Sequence, residues 1–280
     1  MEESAEQAVR RAITTMRANL SEQLTVDDMA RAAMFSKFHF TRIFQRVTGV
    51  SPGRFLSALR LQRAKYLLVS TSLNVADISL RVGYNSIGTF SSRFSRSVGM
   101  SPTTYRRRAG FAQQIQTDPA CVLVQSSARV EGVVHAPADQ TCGLVFIGLF
   151  PERIPEGTPV RCAILTGPGP FGFDSVPPGT WHLLAQSASR ECATGAFDSV
   201  HQPPSQPICV ATEGPIAVRK DSVIRADVTL KPLKALDPPV LLALLDVRQL
   251  AVARAAGTMP SLVGTAARAA NEHHASSTAA

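Results

Sequence analysis

Residues 36–55 return fifty positions later as residues 86–105, and that repeat constrains the chain more than any other feature. Ser36, Phe40, Phe44, Arg46, Gly49, Ser51 and Pro52 recur as Ser86, Phe90, Phe94, Arg96, Gly99, Ser101 and Pro102, and Phe55 recurs as Tyr105. Self-similarity at one period means one structural unit built twice. Each copy sets aromatics at i and i+4, which share one face of a helix, and follows them with glycine and Ser-Pro. The glycine suits a left-handed helix stop, the serine suits an N-cap, and the proline fits the first turn of the next helix.

The flanking residues complete each unit. Residues 5–20 read as a helix with Ala8, Ala12, Ile13, Met16 and Leu20 near one face. Thr25 and Asp28 are spaced as a capping pair for a short helix through 29–33, and Met34-Phe35 form a turn into the first repeated helix, 36–48. A short helix, a turn and a second helix with a polar N-terminal half is a helix-turn-helix. Residues 52–69 predict a longer helix bearing Phe55, Leu56, Leu59, Ala64, Leu67 and Leu68, about 27 Å at ~1.5 Å per residue. The second copy follows as a short helix over 75–82, a turn at Gly83-Tyr84-Asn85, a helix over 86–97, and a last helix opening at Ser101-Pro102.

Charge follows the same division. Residues 1–116 hold 17 Lys+Arg against 7 Asp+Glu, whereas residues 117–280 hold 12 against 14. A basic first region beside a near-neutral second one is the footprint of nucleic-acid binding confined to the first. No apolar run approaches the ~20 residues of a membrane span, and Met1 is followed by acidic and polar residues instead of a secretory leader. Five widely spaced cysteines without a C-x-x-C pair favour neither a disulfide framework nor zinc, so the cytoplasm is the expected compartment.

The run S-x-x-H-F-x-R-x-F, G-x-S-P, R-L-x-x-A-x-x-L-L, D-I-S-x-x-V-G-Y, F-S-x-x-F and G-x-S-P-x-x-Y-R resembles the AraC/XylS family of bacterial transcription regulators over about residues 21–107. The resemblance implies two helix-turn-helices bridged by a helix and entering adjacent major grooves of double-stranded DNA. Carried over by position, the first recognition helix presents Phe38, Thr41 and Arg42 to bases, with Lys37 and Arg46 beside them. A guanidinium at Arg42 can grip guanine O6 and N7, with a phosphate contact as its rival role; Phe38 meets thymine methyls or packs internally. In the second helix the reader positions hold Gly88 and Ser92, while Arg93 and Arg96 are expected to reach phosphates. His39 is expected to serve backbone contact, and Phe40, Ile43, Phe44, Val47, Phe90, Phe94, Val98 and Ile87 to be core. Arg106 to Arg108 face solvent or phosphate.

From Val122 short β-rich runs replace helical periodicity: 130–135, 144–150, 161–166, 170–176, 180–186, 208–211 and 223–230. The segment F-D-S-V-P-P-G-T-W-H-L-L-A, after V-E-G-V-V, resembles carboxypeptidase regulatory-like (transthyretin-like) β-sandwiches. The expected fold class is therefore an all-α double helix-turn-helix over 1–110, a linker over 111–120, a mainly-β sandwich over 121–235, a helix over 236–258 with Asp237 as its N-cap, and a disordered tail over 264–280. Trp181 is read as a core or edge aromatic, His182 as exposed, and Cys142 and Cys162 as buried strand thiols.

No catalytic spacing appears among His135, His182, His201 and the cysteines, and no phosphate loop or zinc-protease motif is present. The expectation is a non-enzymatic, cofactor-free regulator that binds duplex DNA. Its β-region would sense a small-molecule effector, pair in a homodimer or touch RNA polymerase. An enzymatic or carbohydrate-binding β-region is the competing reading.

Overall fold

The computed structural model describes residues 2–108, 110, 126–138, 142–154, 156–187 and 209–242. Seven helices come first: α1 (Glu2–Ala18), α2 (Val26–Ala33), α3 (Lys37–Thr48), α4 (Pro52–Ser70), α5 (Val75–Arg81), α6 (Ile87–Val98) and α7 (Pro102–Arg107). Local chemistry sets their ends. Thr25 and Asp28 close a reciprocal capping box, with Asp28 N donating to Thr25 Oγ1 at 3.2 Å and Thr25 N to Asp28 Oδ2 at 2.9 Å. Those bonds, with Arg31 beside them, hold the Asp28 carboxyl down at about 2. Asn74 caps α5 in the same way through Asp77 N. Gly49 and Gly99 end α3 and α6 in the left-handed region, as the repeat requires. Ser86 and Ser101 cap α6 and α7 through their hydroxyls, whereas Ser36 and Ser51 hold cap geometry without that bond.

The repeat is a repeat of packing. Phe40 and Phe44 lie 5.4 Å apart, and Phe44 meets Phe55 edge-on at 5.4 Å. In the second unit Phe90 and Phe94 lie 5.6 Å apart, and Phe94 meets Tyr105 edge-on at 5.5 Å. All six rings are buried, and the predicted face of α1 joins their cluster through Ala8, Ala12, Ile13 and Met16. Truncating such a ring costs about 3–5 kcal/mol.

Among the described residues nine strands follow: β1 (Arg129–His135), β2 (Val145–Phe150), β3 (Arg161–Leu165), β4 (Gly169–Phe173), β5 (Gly179–Ser187), β6 (Cys209–Val218), β7 (Val223–Arg225), β8 (Val228–Thr229) and β9 (Lys231–Pro232). In one sheet β1 pairs antiparallel with β4 and parallel with β7 and β8; the other runs β3-β2-β5-β6-β9. The two sheets enclose a common apolar core built from Val130 and Val134, Val145, Ile147 and Leu149, Phe171 and Phe173, Leu183 and Ala185.

Several expectations are corrected. The strand expected over 208–211 runs on to Val218, through Gly214 and Pro215, beside an irregularity between Trp181 and Leu183. The single strand expected over 223–230 breaks at Ala226-Asp227, where Ala226 N donates to Glu131 O and Asp227 Oδ1 takes the Val133 N–H at 2.9 Å. A side-chain acceptor there replaces the ladder carbonyl. Instead of capping a helix, Asp237 closes a turn by accepting the Lys234 N–H at 2.7 Å, and residues 238–242 are not helical. The rest of that expected helix, 243–258, and the tail over 264–280 lie outside the described residues. His182 is half-buried, and burial lowers its pKa, with Arg153 adding to the effect. Cys142 and Cys162 are likewise half-buried, while Cys209 is buried.

The helical and β regions meet along a seam. Strand β2 is buried at every position, because its side chains alternate between two apolar environments. Val145, Ile147 and Leu149 point into the core between the sheets, while Phe146 and Phe150 cluster with Leu144, Leu184 and Leu242. Leu236 and Leu241 then insert into the helical core. Lys65 of α4 donates to the carbonyls of Leu241 at 3.0 Å and Leu242 at 2.9 Å, with its ammonium 5.9 Å from the Tyr105 ring centre. Among the described residues no helix is long and apolar enough to cross a membrane.

Two stability outcomes are expected. Gly83 sits at φ +80 in the second turn, where a Cβ would lie 2.3 Å from Leu20 O; Gly83→Ala therefore costs about 2 kcal/mol or more in denaturant unfolding. Burial pushes the Lys65 ammonium down to about 8, against ~10.4 for a free lysine. Between those values the unfolded chain holds a proton that the folded chain has released, so this group makes stability rise with pH across that window. Burial pushes the Tyr105 hydroxyl up, which acts in the opposite sense above pH ~10. Lys65→Met removes the rising component, measured as the difference between the two proteins' unfolding midpoints from pH 8 to 10.

Candidate nucleic-acid interface

The aromatic pair on each recognition helix decides which residues face outward. With Phe40, Ile43, Phe44 and Thr48 turned into the core of α3, the opposite side carries Lys37, Phe38, His39, Arg42, Gln45 and Arg46, all exposed. Phe38 is 87% exposed, which settles its packing alternative: the ring stands free of the core. A phenyl ring left in water gives up roughly 1.5–3 kcal/mol of burial. Met34, in the preceding turn with φ 62, is likewise 80% exposed.

The polar residues of α3 divide by their freedom. Arg42, one helical turn from Phe38, has no hydrogen-bond or ion-pair partner among the described residues, so its five donors point into solvent. Lys37 pairs with Asp27 at 2.8 Å, both side chains more than half exposed. Such a pair is worth at most about 1 kcal/mol and exchanges readily for another anion. Thr41 is half-buried and donates its hydroxyl proton to Lys37 O at 2.8 Å, leaving lone pairs available. His39 lies against Phe35, ring centres 4.8 Å apart.

On α6 the outward face carries Ile87, Gly88, Thr89, Ser92 and Arg96. Gly88 and Ser92 take the places that Phe38 and Arg42 hold on α3, so this face lacks both the ring and the guanidinium. Ile87 is 49% exposed, not core as expected, because it occupies the position of Lys37 at the start of the helix.

Arg93 is the main correction. Its guanidinium turns away from the outward face toward Ser57 Oγ at 3.4 Å and Glu156, both of whose carboxylate oxygens it approaches at 3.4 Å. The repeat itself explains this, since Arg93 occupies the place of Ile43, a core-facing position. Arg106 is also engaged internally, donating from Nε to Leu68 O at 3.0 Å and from Nη2 to Leu73 O. Arg46, Arg96, Arg107 and Arg108 remain exposed. Helix α4, 19 residues and hence ~28 Å long, joins the two units and carries Arg54 at its N-terminal end.

Among the described residues no group of three or more His, Cys, Asp or Glu is placed to hold a metal ion. A cleft of about 100 Å³ opens along the seam, between the end of α3 and the outer face of the larger sheet. Val47, Phe146, Arg153, Leu184, Gln186 and Asp237 are among its lining residues.

Residues 29–108 match the family model described as a helix-turn-helix domain. The chain is 34% identical over 88 residues to the HTH-type transcriptional activator AarP of Providencia stuartii, covering 31% of this chain and 65% of that protein. It is 34% identical over 101 residues to the melibiose operon regulatory protein of Escherichia coli K12, covering 36% and 33%. The crystal structure of a transcriptional regulator with an AraC-type DNA-binding domain from Chromobacterium violaceum is 31% identical, covering 39% of this chain and 95% of that one, with a TM-score of 0.36. The chain thus spans less than two thirds of the length of these curated relatives, and the shared part is helical. Residues 29–108 of this chain are a helix-turn-helix domain, similar to those of the transcriptional regulators named above.

Proposed function

We propose that the whole chain is a sequence-specific, cytoplasmic transcription regulator that sets α3 and α6 into adjacent major grooves of duplex DNA. The exposed face of α3 carries the proposal: Phe38 and Arg42 stand one turn apart, solvent-facing and, among the described residues, without protein partners that would explain them. Arg42 presents a bidentate donor pair suited to guanine, and Phe38 an apolar surface suited to thymine methyls. Lys37, Arg46 and Arg96 supply phosphate contacts, with Thr41, Gly88 and Ser92 close to base edges. Helix α4 supports this spacing, since its length is commensurate with the ~34 Å between successive major-groove faces. On this reading α3 reads sequence and α6 anchors.

The β-region, read as a carboxypeptidase regulatory-like sandwich over 121–235, serves as the sensing part. The seam cleft favours a small-molecule effector over the alternatives of a homodimer surface or a polymerase contact. It combines apolar walls with the Arg153 guanidinium and lies where two regions meet, a common place for ligand sites.

Selection of duplexes bound by the full chain from a random pool is expected to return two half-sites about one helical turn apart, strict under α3 and relaxed under α6. Recovery of no preference over random DNA defeats the proposal, and equal stringency at both half-sites defeats the division between reader and anchor. Arg42→Ala should cost about 1–3 kcal/mol of binding and relax one base position. Because that side chain is exposed, the unfolding free energy should stay within about 0.5 kcal/mol of the parent value.

A further inference from the structure

We infer that Glu156 is a positioning residue for the second helix-turn-helix: from the β2–β3 hairpin it ties α6 to α4, and the grip of α6 on DNA depends on that tie. The DNA consequence rests on the function proposed above; the tie itself does not.

The hairpin connecting β2 and β3 reaches out of the sheet and into the helical region. Ile154 is fully buried in the helical core. Arg153 passes over the end of α3, where a Cβ on Gly49 would lie 2.7 Å from the Arg153 Cδ, so this approach needs the glycine. Gly157 N donates to Ser97 O of α6 at 2.9 Å. Between these anchors the Glu156 side chain is 10% exposed and receives three groups: Arg54 of α4 at 2.7 Å, Ser97 Oγ of α6 at 2.9 Å, and Arg93 of α6 at 3.4 Å. Arg54 also holds Glu152 at 2.6 Å.

The repeat gives an independent reason to regard this socket as built for a carboxylate. Arg93 and Ser97 stand where the first unit has Ile43 and Val47, which pack against the apolar core. Both substitutions are from apolar to donor residues, and both donors converge on one carboxylate. Two guanidiniums and a hydroxyl give both oxygens charge-assisted or neutral hydrogen bonds. Without Glu156, Arg93 loses its carboxylate partner, Arg54 is left with Glu152 alone, and the buried Ser97 hydroxyl loses its acceptor. The relative seating of α6 and α4 therefore relaxes, while α3, which contributes none of these bonds to Glu156, keeps its seating.

The test uses the full chain with Glu156→Ala, Arg93→Ala and the double variant, read by hydrogen exchange of the α3 and α6 amides and by footprinting of each half-site of a selected duplex. Exchange should rise along α6 and not along α3. Protection of the second half-site should need about tenfold more protein, with the first unchanged. The double variant should match either single change within about twofold, as expected of partners in one interaction. Unchanged α6 exchange overturns the inference. So does equal loss at both half-sites or in both helices, because Glu156 would then hold the whole fold and not the second unit. Absence of sequence preference in the parent chain would instead defeat the regulator reading, and exchange would still decide the tie.

Discussion

The edge-on meeting of an aromatic ring on each recognition helix with the first aromatic of the next helix is the contact on which this structure depends. Phe44 against Phe55 and Phe94 against Tyr105 are the same interaction made twice. Each fixes the rotation of a recognition helix about its own axis, because the i, i+4 ring pair can point only inward. Once that rotation is set, the outward residues follow without further choice. On the side of the helix opposite Phe40 and Phe44 stand Phe38 and Arg42; opposite Phe90 and Phe94 stand Gly88 and Ser92. The scaffold is therefore symmetric and the surface it presents is not.

That separation explains what could be read from the amino-acid order. Caps, stops and ring pairs act over four or five residues, so Thr25 with Asp28, Gly49, Gly99 and the repeated phenylalanines announce their roles locally. Strands β1, β2, β3 and β5 were legible for the same reason, from short β-branched and aromatic runs between turns. What was not legible depends on contacts distant in sequence. Strand β6 continues through Gly214 and Pro215 because β5 lies beside it, which no local preference reveals. Asp237 has the composition of a helix cap, yet Leu236 and Leu241 are drawn into the helical core and the segment follows them instead. Arg93 marks the middle case. Its basic character suggests phosphate, whereas alignment with Ile43 fifty residues earlier puts it on the inward side, where the structure has it.

The seam between the regions has the character of a core, not of a tether. Strand β2 buries both its faces, and one of them is covered by the 236–242 segment that also seals the helices. Lys65 lies across this junction, holding two carbonyls of that segment. Relative motion of the regions would have to open apolar surface and unpair a half-buried ammonium together.

Glu156 then explains why the second unit carries donors where the first carries Ile43 and Val47. An apolar pair at positions 93 and 97 would match the first copy, and burying it would stabilise at least as well as an ion network that must first be desolvated. It would also accept many loop orientations, since apolar contact is non-directional. Arg54, Arg93 and Ser97 accept only an acceptor placed among all three. The network thus trades some stability for a single seating of α6. On the function proposed above, that requirement is sharper in the second unit than the first, because α6 lacks the ring and guanidinium that α3 offers to DNA.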